Sequence, residues 1–514
     1  MKLQRLTTGN IEKLNGKKIY CIEKSLSYLN ELCDTFDILD QIDCIVDDRA
    51  KNEERLEYRG KKLNIRPLSD LANIDFNHTA ILITSDYYRE IFESICVKGF
   101  GKEYRDIEIF FFPNRETEYE LEYRDRYKES ELQNIIIFCS GPHKSQYVKG
   151  MDFSDNARAL FEYLLDNGYN NKYELVWFVK EPEEFSHYDE FNNVSFLSYE
   201  SSASHNDRER DEYYRALCLA KYIFFTDAYG FARNCRDDQI RVQLWHGCGF
   251  KTRLNFASCE KRYEYTTVTS DLYAKIHGKI FGLNPSQMLI TGIAKEDWLF
   301  TPLQSWKEQL GIPNAKQYIF WLPTYRFSEE KFSKPKDGDL NEETGLPLID
   351  STQKLNILNI ILSKNDIVLI IKLHPFQDKN AISLRPYSNI KIIDNDSMYK
   401  NRIEINQLLG HADVIISDYS SVAVDYMILD RPMAFSVEDA EEYKNNRGFI
   451  FDPISEWLPG KLLFSFHDIL EYINEIIQGI DSEKEKRKKL IELMHEYKDD
   501  KNSKRIVETL GICR

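Results

Sequence analysis

The chain has 514 residues, too many for one hydrophobic core, so two or three domains are expected. Hydrophobic residues make up 42% and charged residues 30%, an ordinary balance for a soluble protein, and the net charge of -16 argues against a surface built to neutralise nucleic-acid phosphates. The same charge weakens membrane binding by the protein as a whole and leaves any such contact to a local basic patch. The cysteines are scattered with no Cys-x-x-Cys pair, which disfavours zinc and reads as reduced thiols. Met1-Lys2-Leu3-Gln4-Arg5 leads into polar residues without a signal-peptide core, and no apolar run approaches the ~20 residues that cross a bilayer. Action from the cytosol is therefore expected.

Residues 1–128 read as a small Rossmann-like α/β domain. Strands are predicted at 18–22, 44–46, 80–84 and 107–112, with helices at 25–36 and 87–97. Strands alternating with helices imply a parallel sheet. The first strand leads to Glu23-Lys24-Ser25 and not to Gly-x-Gly-x-x-Gly, so a docking or structural module is preferred to a dinucleotide site. Residues 115–131 are dense in Glu, Arg and Tyr and read as a linker.

A second α/β series follows over 129–302. Its strands are predicted at 135–138, 175–179, 222–226 and 243–245, and an amphipathic helix starts at Asp155. The last strand breaks at His246-Gly247-Cys248-Gly249-Phe250-Lys251. Glycines there let backbone approach a ligand closely, the imidazole exchanges a proton near neutral pH, and Lys251 offers a cation to a phosphate.

The third series, 303–480, has strands at 318–321, 367–373, 390–393 and 414–416. One strand end carries Thr324 and Arg326, the next carries His374, and the last runs into Ser417-Asp418-Tyr419-Ser420-Ser421. Two hydroxyls thus stand where a helix begins. Unpartnered first-turn N–H groups and the helix dipole make that position an anion site suited to a diphosphate; the plainer alternative is that Ser420 or Ser421 only caps the helix. In open α/β sheets such C-terminal strand ends line the ligand crevice. Residues 481–514 read as a helical tail, for which a solvated face rich in Lys, Arg and Glu is preferred to a helix that crosses back to the first half.

The combination resembles the CDP-glycerol glycerophosphotransferase family, the polymerases and primases of teichoic acids and related capsule polymers. The resemblance rests on Trp245-His246-Gly247 with Lys251, Pro323-Thr324-Tyr325-Arg326, Leu373-His374-Pro375, and Ser417-Asp418-Tyr419-Ser420-Ser421 with Asp425. Asp430-Arg431-Pro432 and Tyr443 with Arg447-Gly448-Phe449 also fit. The chain departs from the family where Gly292-Ile293-Ala294-Lys295-Glu296-Asp297 replaces Gly-Tyr-Pro-Arg-Asn-Asp, where Cys248-Gly249 replaces Thr-Pro, and where Lys372 replaces Arg.

The resemblance implies a GT-B-like fold, two doubly wound Rossmann-like halves behind the small N-terminal domain. It implies a transferase that moves glycerol phosphate or ribitol phosphate from CDP-glycerol or CDP-ribitol to an acceptor hydroxyl and releases CMP. The acceptor would be polymer or lipid-linked, met by peripheral contact at the inner membrane face. His246 is then the candidate base and His374 the donor to the diphosphate. Ser420 and Ser421 form the phosphate cradle, Lys251 and Arg326 neutralise charge, and Thr324 is a weaker phosphate contact. Asp418 and Asp425 are candidates for donor binding, with capping as the structural alternative. No paired-acidic motif marks a metal site, so metal-free catalysis is the default, with Mg2+ allowed on the donor diphosphate. Two alternatives stay open: a GT-B glycosyltransferase using a nucleotide sugar, and a non-catalytic scaffold of a polymer-export complex.

Overall fold

The computed structural model describes residues 1–23, 25–47, 54–75, 77–85, 88–97, 108–113, 115–141, 149–226, 236–251, 263–323, 344, 346–372, 386–446 and 448–514. They form two compact units.

The first unit spans Met1–Ser130 and also takes in Glu200–Cys218, a segment that the sequence pattern assigns to the following domain. Its sheet has seven strands: β1 (Lys2–Arg5), β2 (Lys18–Ile22), β3 (Ile42–Val46), β4 (Arg55–Tyr58), β5 (Lys61–Arg66), β6 (Thr79–Ile83) and β7 (Glu108–Phe111). Their order is β1-β7-β6-β2-β3-β5-β4, parallel except for the β4–β5 hairpin. Residues 115–131 are not a linker. Arg115–Tyr127 is a helix whose charges form its outer face, with Arg126 and Glu122 paired at 3.0 Å one turn apart. Its inner face buries Tyr123 against Tyr214 of helix Asp207–Leu219, rings stacked at 4.6 Å, and the Tyr123 hydroxyl donates to Asp211. A run this polar hides its helical period because only one side needs apolar residues.

The second unit carries two sheets. One contains β8 (Gln133–Ser140), β9 (Glu174–Val179), β10 (Val194–Ser198), β11 (Ala220–Thr226), β12 (Ile240–Gln243), β13 (Tyr265–Val268) and β14 (Met288–Ile290), all parallel, in the order β10-β9-β8-β11-β12-β13-β14. The other contains β15 (Gln317–Trp321), β16 (Ile367–Lys372), β17 (Ile390–Ile393), β18 (Val414–Ser417), β19 (Met433–Ser436) and β20 (Lys461–Leu463), again parallel, in the order β17-β16-β15-β18-β19-β20. Strands buried on both faces need continuous apolar sequence, and Ile-Val-Leu-Ile-Ile in β16 supplies it. Each sheet reverses its strand order beside its first strand, β8 or β15, which places a ligand crevice at those C-terminal strand ends. These are two doubly wound halves in tandem.

The segment after residue 480 is not a solvated tail. Helix Lys484–Met494 buries Arg487 completely against Asp430 (3.0 Å) and Asp481 (2.5 Å). A second helix, Asn502–Thr509, returns to the first half, where Ile506 and Val507 join the core with Leu160, Leu164 and Tyr222. Asp297 accepts the backbone N–H groups of both Asn502 and Ser503 at 2.8 Å, capping that helix from the first half. No helix among the described residues is long and apolar enough to cross a membrane.

Candidate active site

The chain leaves β12 through Leu244 and Trp245, the latter at φ 51°, and then through Gly247 at φ 123°, a conformation that suits glycine. The helix Asp155–Asp166 holds this turn in place. Asn156 Nδ2 donates to the carbonyls of Leu244 (3.3 Å) and Trp245 (2.8 Å), while its Oδ1 accepts the Lys295 N–H at 3.1 Å. Asp155, at the head of the same helix, sets its Oδ2 2.6 Å from His246 Nδ1. A carboxylate in that position keeps the Nδ1–H tautomer and leaves the basic lone pair on Nε2.

Lys295 ties this pair to the second half. Its Nζ lies 3.2 Å from Asp155 Oδ1, donates to the His246 carbonyl at 2.5 Å, and reaches Asp425 Oδ2 at 3.3 Å. Burial pushes the Asp155 carboxyl up, but the Lys295 charge and the His246 hydrogen bond outweigh it and hold it below the ordinary range. Burial pulls the Lys295 ammonium down, and the two carboxylates more than restore it, so it stays charged. Asp425 is completely buried, which pushes its carboxyl up against the opposing pull of Lys295. A Cβ on Gly247 would stand 3.1 Å from Asp425 Oδ1, so glycine also lets the turn close over this carboxylate.

The opposite wall starts where β18 ends. Asp418 Oδ1 accepts the Ser420 N–H at 3.1 Å and shapes the turn into helix Ser421–Met427. The Ser420 side chain makes no cap hydrogen bond to that helix. The first-half loop lies directly on the helix start: a Cβ on Gly249 would come 3.2 Å from Ser421 Cβ. Lys251 pairs with Phe449 in an antiparallel bridge, and its Nζ stands 5.8 Å from the Tyr443 ring centroid. Tyr443 packs in turn on Tyr419 at 4.6 Å.

Further charges cross between the halves. Arg158 pairs with Glu162 at 2.8 Å, approaches Glu404 at 3.7 Å and donates to the Arg402 carbonyl at 2.8 Å. Burial lifts Glu404 to about 7 against the pull of Arg158. Burial brings Lys372 down to about 8, opposed by Asp394 and Glu404; its Nζ donates to Asn395 at 2.6 Å.

The structure therefore brings His246, Lys251, Asp418, Ser420 and Ser421 together where the loops after β12 and β18 meet. Asp425, expected at the donor, is closed off and paired with Lys295. Thr324, Arg326 and His374 lie outside the described residues. Asp155 and Lys295 escaped the sequence reading. Asp155 read only as a helix start and Lys295 only as a departure from a motif, and no local spacing links either to His246. The available signal was an acidic residue heading a helix beside a strand that ends in histidine. Among the described residues, no group of three or more His, Cys, Asp or Glu side chains is gathered to hold a metal ion.

Residues 131–511 match the family model described as CDP-glycerol:poly(glycerophosphate) glycerophosphotransferase. The chain is 26% identical over 314 residues to the teichoic acid ribitol-phosphate polymerase TarL of Staphylococcus aureus, covering 57% of this chain and 52% of that protein. It is 26% identical over 354 residues to the teichoic acid glycerol-phosphate primase of Bacillus subtilis, covering 63% of this chain and 81% of that protein. The match thus spans about half the length of TarL. The solved wall teichoic acid polymerase TagF superposes with a TM-score of 0.58 at 20% identity, over 83% of this chain and 96% of that one, which shows a common GT-B-like fold. The chain belongs to the CDP-glycerol:poly(glycerophosphate) glycerophosphotransferase family.

Proposed function

We propose that the chain transfers a polyol phosphate, glycerol phosphate or ribitol phosphate, from a CDP-polyol to an acceptor hydroxyl and releases CMP. The observation that carries this reading is the Asp155–His246 pair, held 2.6 Å apart on a loop that lies on the helix start at Ser421. A base and a phosphate-binding helix start side by side suit attack of a hydroxyl on phosphorus. The acceptor oxygen bonds to the β-phosphorus while His246 Nε2 takes its proton. The bond from that phosphorus to the bridging oxygen breaks, and the electron pair leaves with CMP.

The hydroxyls of Ser420 and Ser421, with the first N–H groups of the helix, receive the diphosphate, and Lys251 offsets part of its charge. Asp418 shapes that turn. His374, Arg326 and Thr324 keep the roles that the family resemblance implies: donor to the leaving phosphate, charge neutralisation and a phosphate contact. The relatives are teichoic acid polymerases and primases, which supports a polymer acceptor; a lipid-linked acceptor met by peripheral contact at the inner membrane face is what the family resemblance adds to this reading. The test is to incubate the purified chain with CDP-glycerol, CDP-ribitol and nucleotide sugars, each with a polymer acceptor. CMP release from one CDP-polyol is expected. Release of only a nucleoside diphosphate from a nucleotide sugar would overturn the reading.

A further inference from the structure

The contacts of Lys295 exceed what a buried counter-ion requires. One ammonium touches three groups from three segments: the Asp155 carboxylate, the backbone carbonyl of His246 and the Asp425 carboxylate. The first two belong to the half that carries the base, and the third lies one turn inside helix Ser421–Met427 of the other half. Both carboxylates are fixed by other bonds. Asp155 accepts the Asn156 N–H at 2.9 Å, and Asn406 donates to Asp425 Oδ2 at 3.3 Å. The Lys295 backbone is itself held by Asn156 at 3.1 Å. A displacement of the donor-side helix therefore reaches the imidazole through one cation and one carboxylate.

We infer that Lys295 is a positioning residue, which sets the His246 ring against the helix that starts at Ser421 by holding Asp155 and Asp425 at once. This rests on the transferase reading above. Lys295 lies beneath the Gly247 turn, where Asp425 is wholly buried, so it acts through His246 and does not meet the donor. Its loss leaves Asp425 as an uncompensated buried carboxylate and frees Asp155 to swing with the imidazole. The first effect concerns folding and the second concerns turnover, and the two are separable. Replacing Asp425 by Asn along with Lys295 by Met removes the stranded charge but restores nothing to Asp155.

The experiment uses the full chain and follows CMP release from CDP-glycerol and CDP-ribitol, with melting temperatures measured alongside. In Lys295→Met, kcat is expected to fall about 100-fold while the donor KM stays within about threefold, the pattern of a base held in the wrong place. Lys295→Arg keeps a cation between the carboxylates and should recover at least a third of wild-type kcat. The double variant Lys295→Met with Asp425→Asn should regain most of the melting temperature but not the turnover. A donor KM that rises with kcat intact would make Lys295 a substrate ligand and overturn the inference. So would turnover that returns with stability in the double variant, because the role would then be purely structural. A wild-type chain that releases no CMP from either donor would overturn the transferase reading and this role with it. An active wild type with an equally active Lys295→Met would overturn this role alone.

Discussion

At the scale of single residues, the site depends on groups that work as a unit. Asp155 fixes the tautomer and direction of His246, so removing either partner should disable the same proton transfer. His246→Ala and Asp155→Asn are each expected to lower kcat by about two to four orders of magnitude, the range for lost acid–base help. The double variant should be little worse than His246→Ala alone, since residues acting together are non-additive. Initial rates of CMP release across the four proteins check this, and multiplied losses would show that the two act independently. A lone histidine at a strand end is more often structural than catalytic, and His246 stood out in the sequence only beside three other strand ends that carry polar or basic groups and the family resemblance they form together. Asp155 did not stand out, because its partner is distant in the chain and only the packing of helix Asp155–Asp166 on β8 and β11, with Asn156 bonded to the carbonyls of Leu244 and Trp245, brings them together. The surroundings of Asp425 were hidden for a related reason. The family resemblance offered it for the donor with a structural role as the alternative, and the burial that turns it toward Lys295 is a tertiary effect.

At the scale of elements, two segments were misjudged because their polarity hid a buried stripe. Helix Asn502–Thr509 has a charged outer face, yet Ile506 and Val507 are fully buried in the first half. Its seat needs a glycine opposite. A Cβ on Gly292, which sits at φ 75°, would fall 2.2 Å from Asn502 Oδ1. Gly292→Ala should therefore push the helix out and lower the melting temperature by several degrees. Protection of the Ile506 and Val507 amides in hydrogen exchange should drop as well, whereas Gly311→Ala, with nothing within 4 Å of its added Cβ, leaves that protection in place.

The helix Ile405–Leu409 supplies a pH test. Burial raises Glu404, which precedes it, from the ordinary 4.5 to about 7, against Arg158 and Lys295 and with Asp155 and Glu162 adding to the rise. The folded chain then binds more protons than the unfolded chain between those values, so this residue's contribution to stability is present below pH 4.5 and is lost as pH rises through about 7. Glu404→Gln should flatten the decline in melting temperature between pH 5 and pH 7.5 relative to wild type. Parallel curves for the two proteins would count against it.

At the scale of the whole molecule, the alternation of strands and helices was enough to read three sheets that are parallel but for the β4–β5 hairpin, because burial on both faces demands runs such as those of β8 and β16. What it did not reveal is that Glu200–Cys218 belongs with Met1–Ser130. Tyr214 is fully buried in that unit, stacked on Tyr123, and Ser202 donates to Glu116 at 2.6 Å. A chain starting at Glu131 should therefore expose aromatic surface on helix Asp207–Leu219, with buried aromatics covering about 150–250 Å² each. It is expected to self-associate in light scattering, and Tyr214→Gln in the shortened chain should reduce that association. A monodisperse shortened chain with the wild-type Tyr214 would show that the segment needs no partner.

The return of helix Asn502–Thr509 also bears on how the protein is made. The first half, built from residues 133–290, lacks Ile506, Val507 and the ligands of Asp297 until the ribosome has passed Thr509. At roughly 5–20 residues per second, synthesis from Ile290 to Asn502 takes on the order of 10 to 40 s. Through that interval the nascent first half presents an open apolar seat around Leu160, Leu164 and Tyr222. The order of translation thus leaves its core waiting on the last helix described, and a chaperone that covers apolar surface has a defined window in which to act.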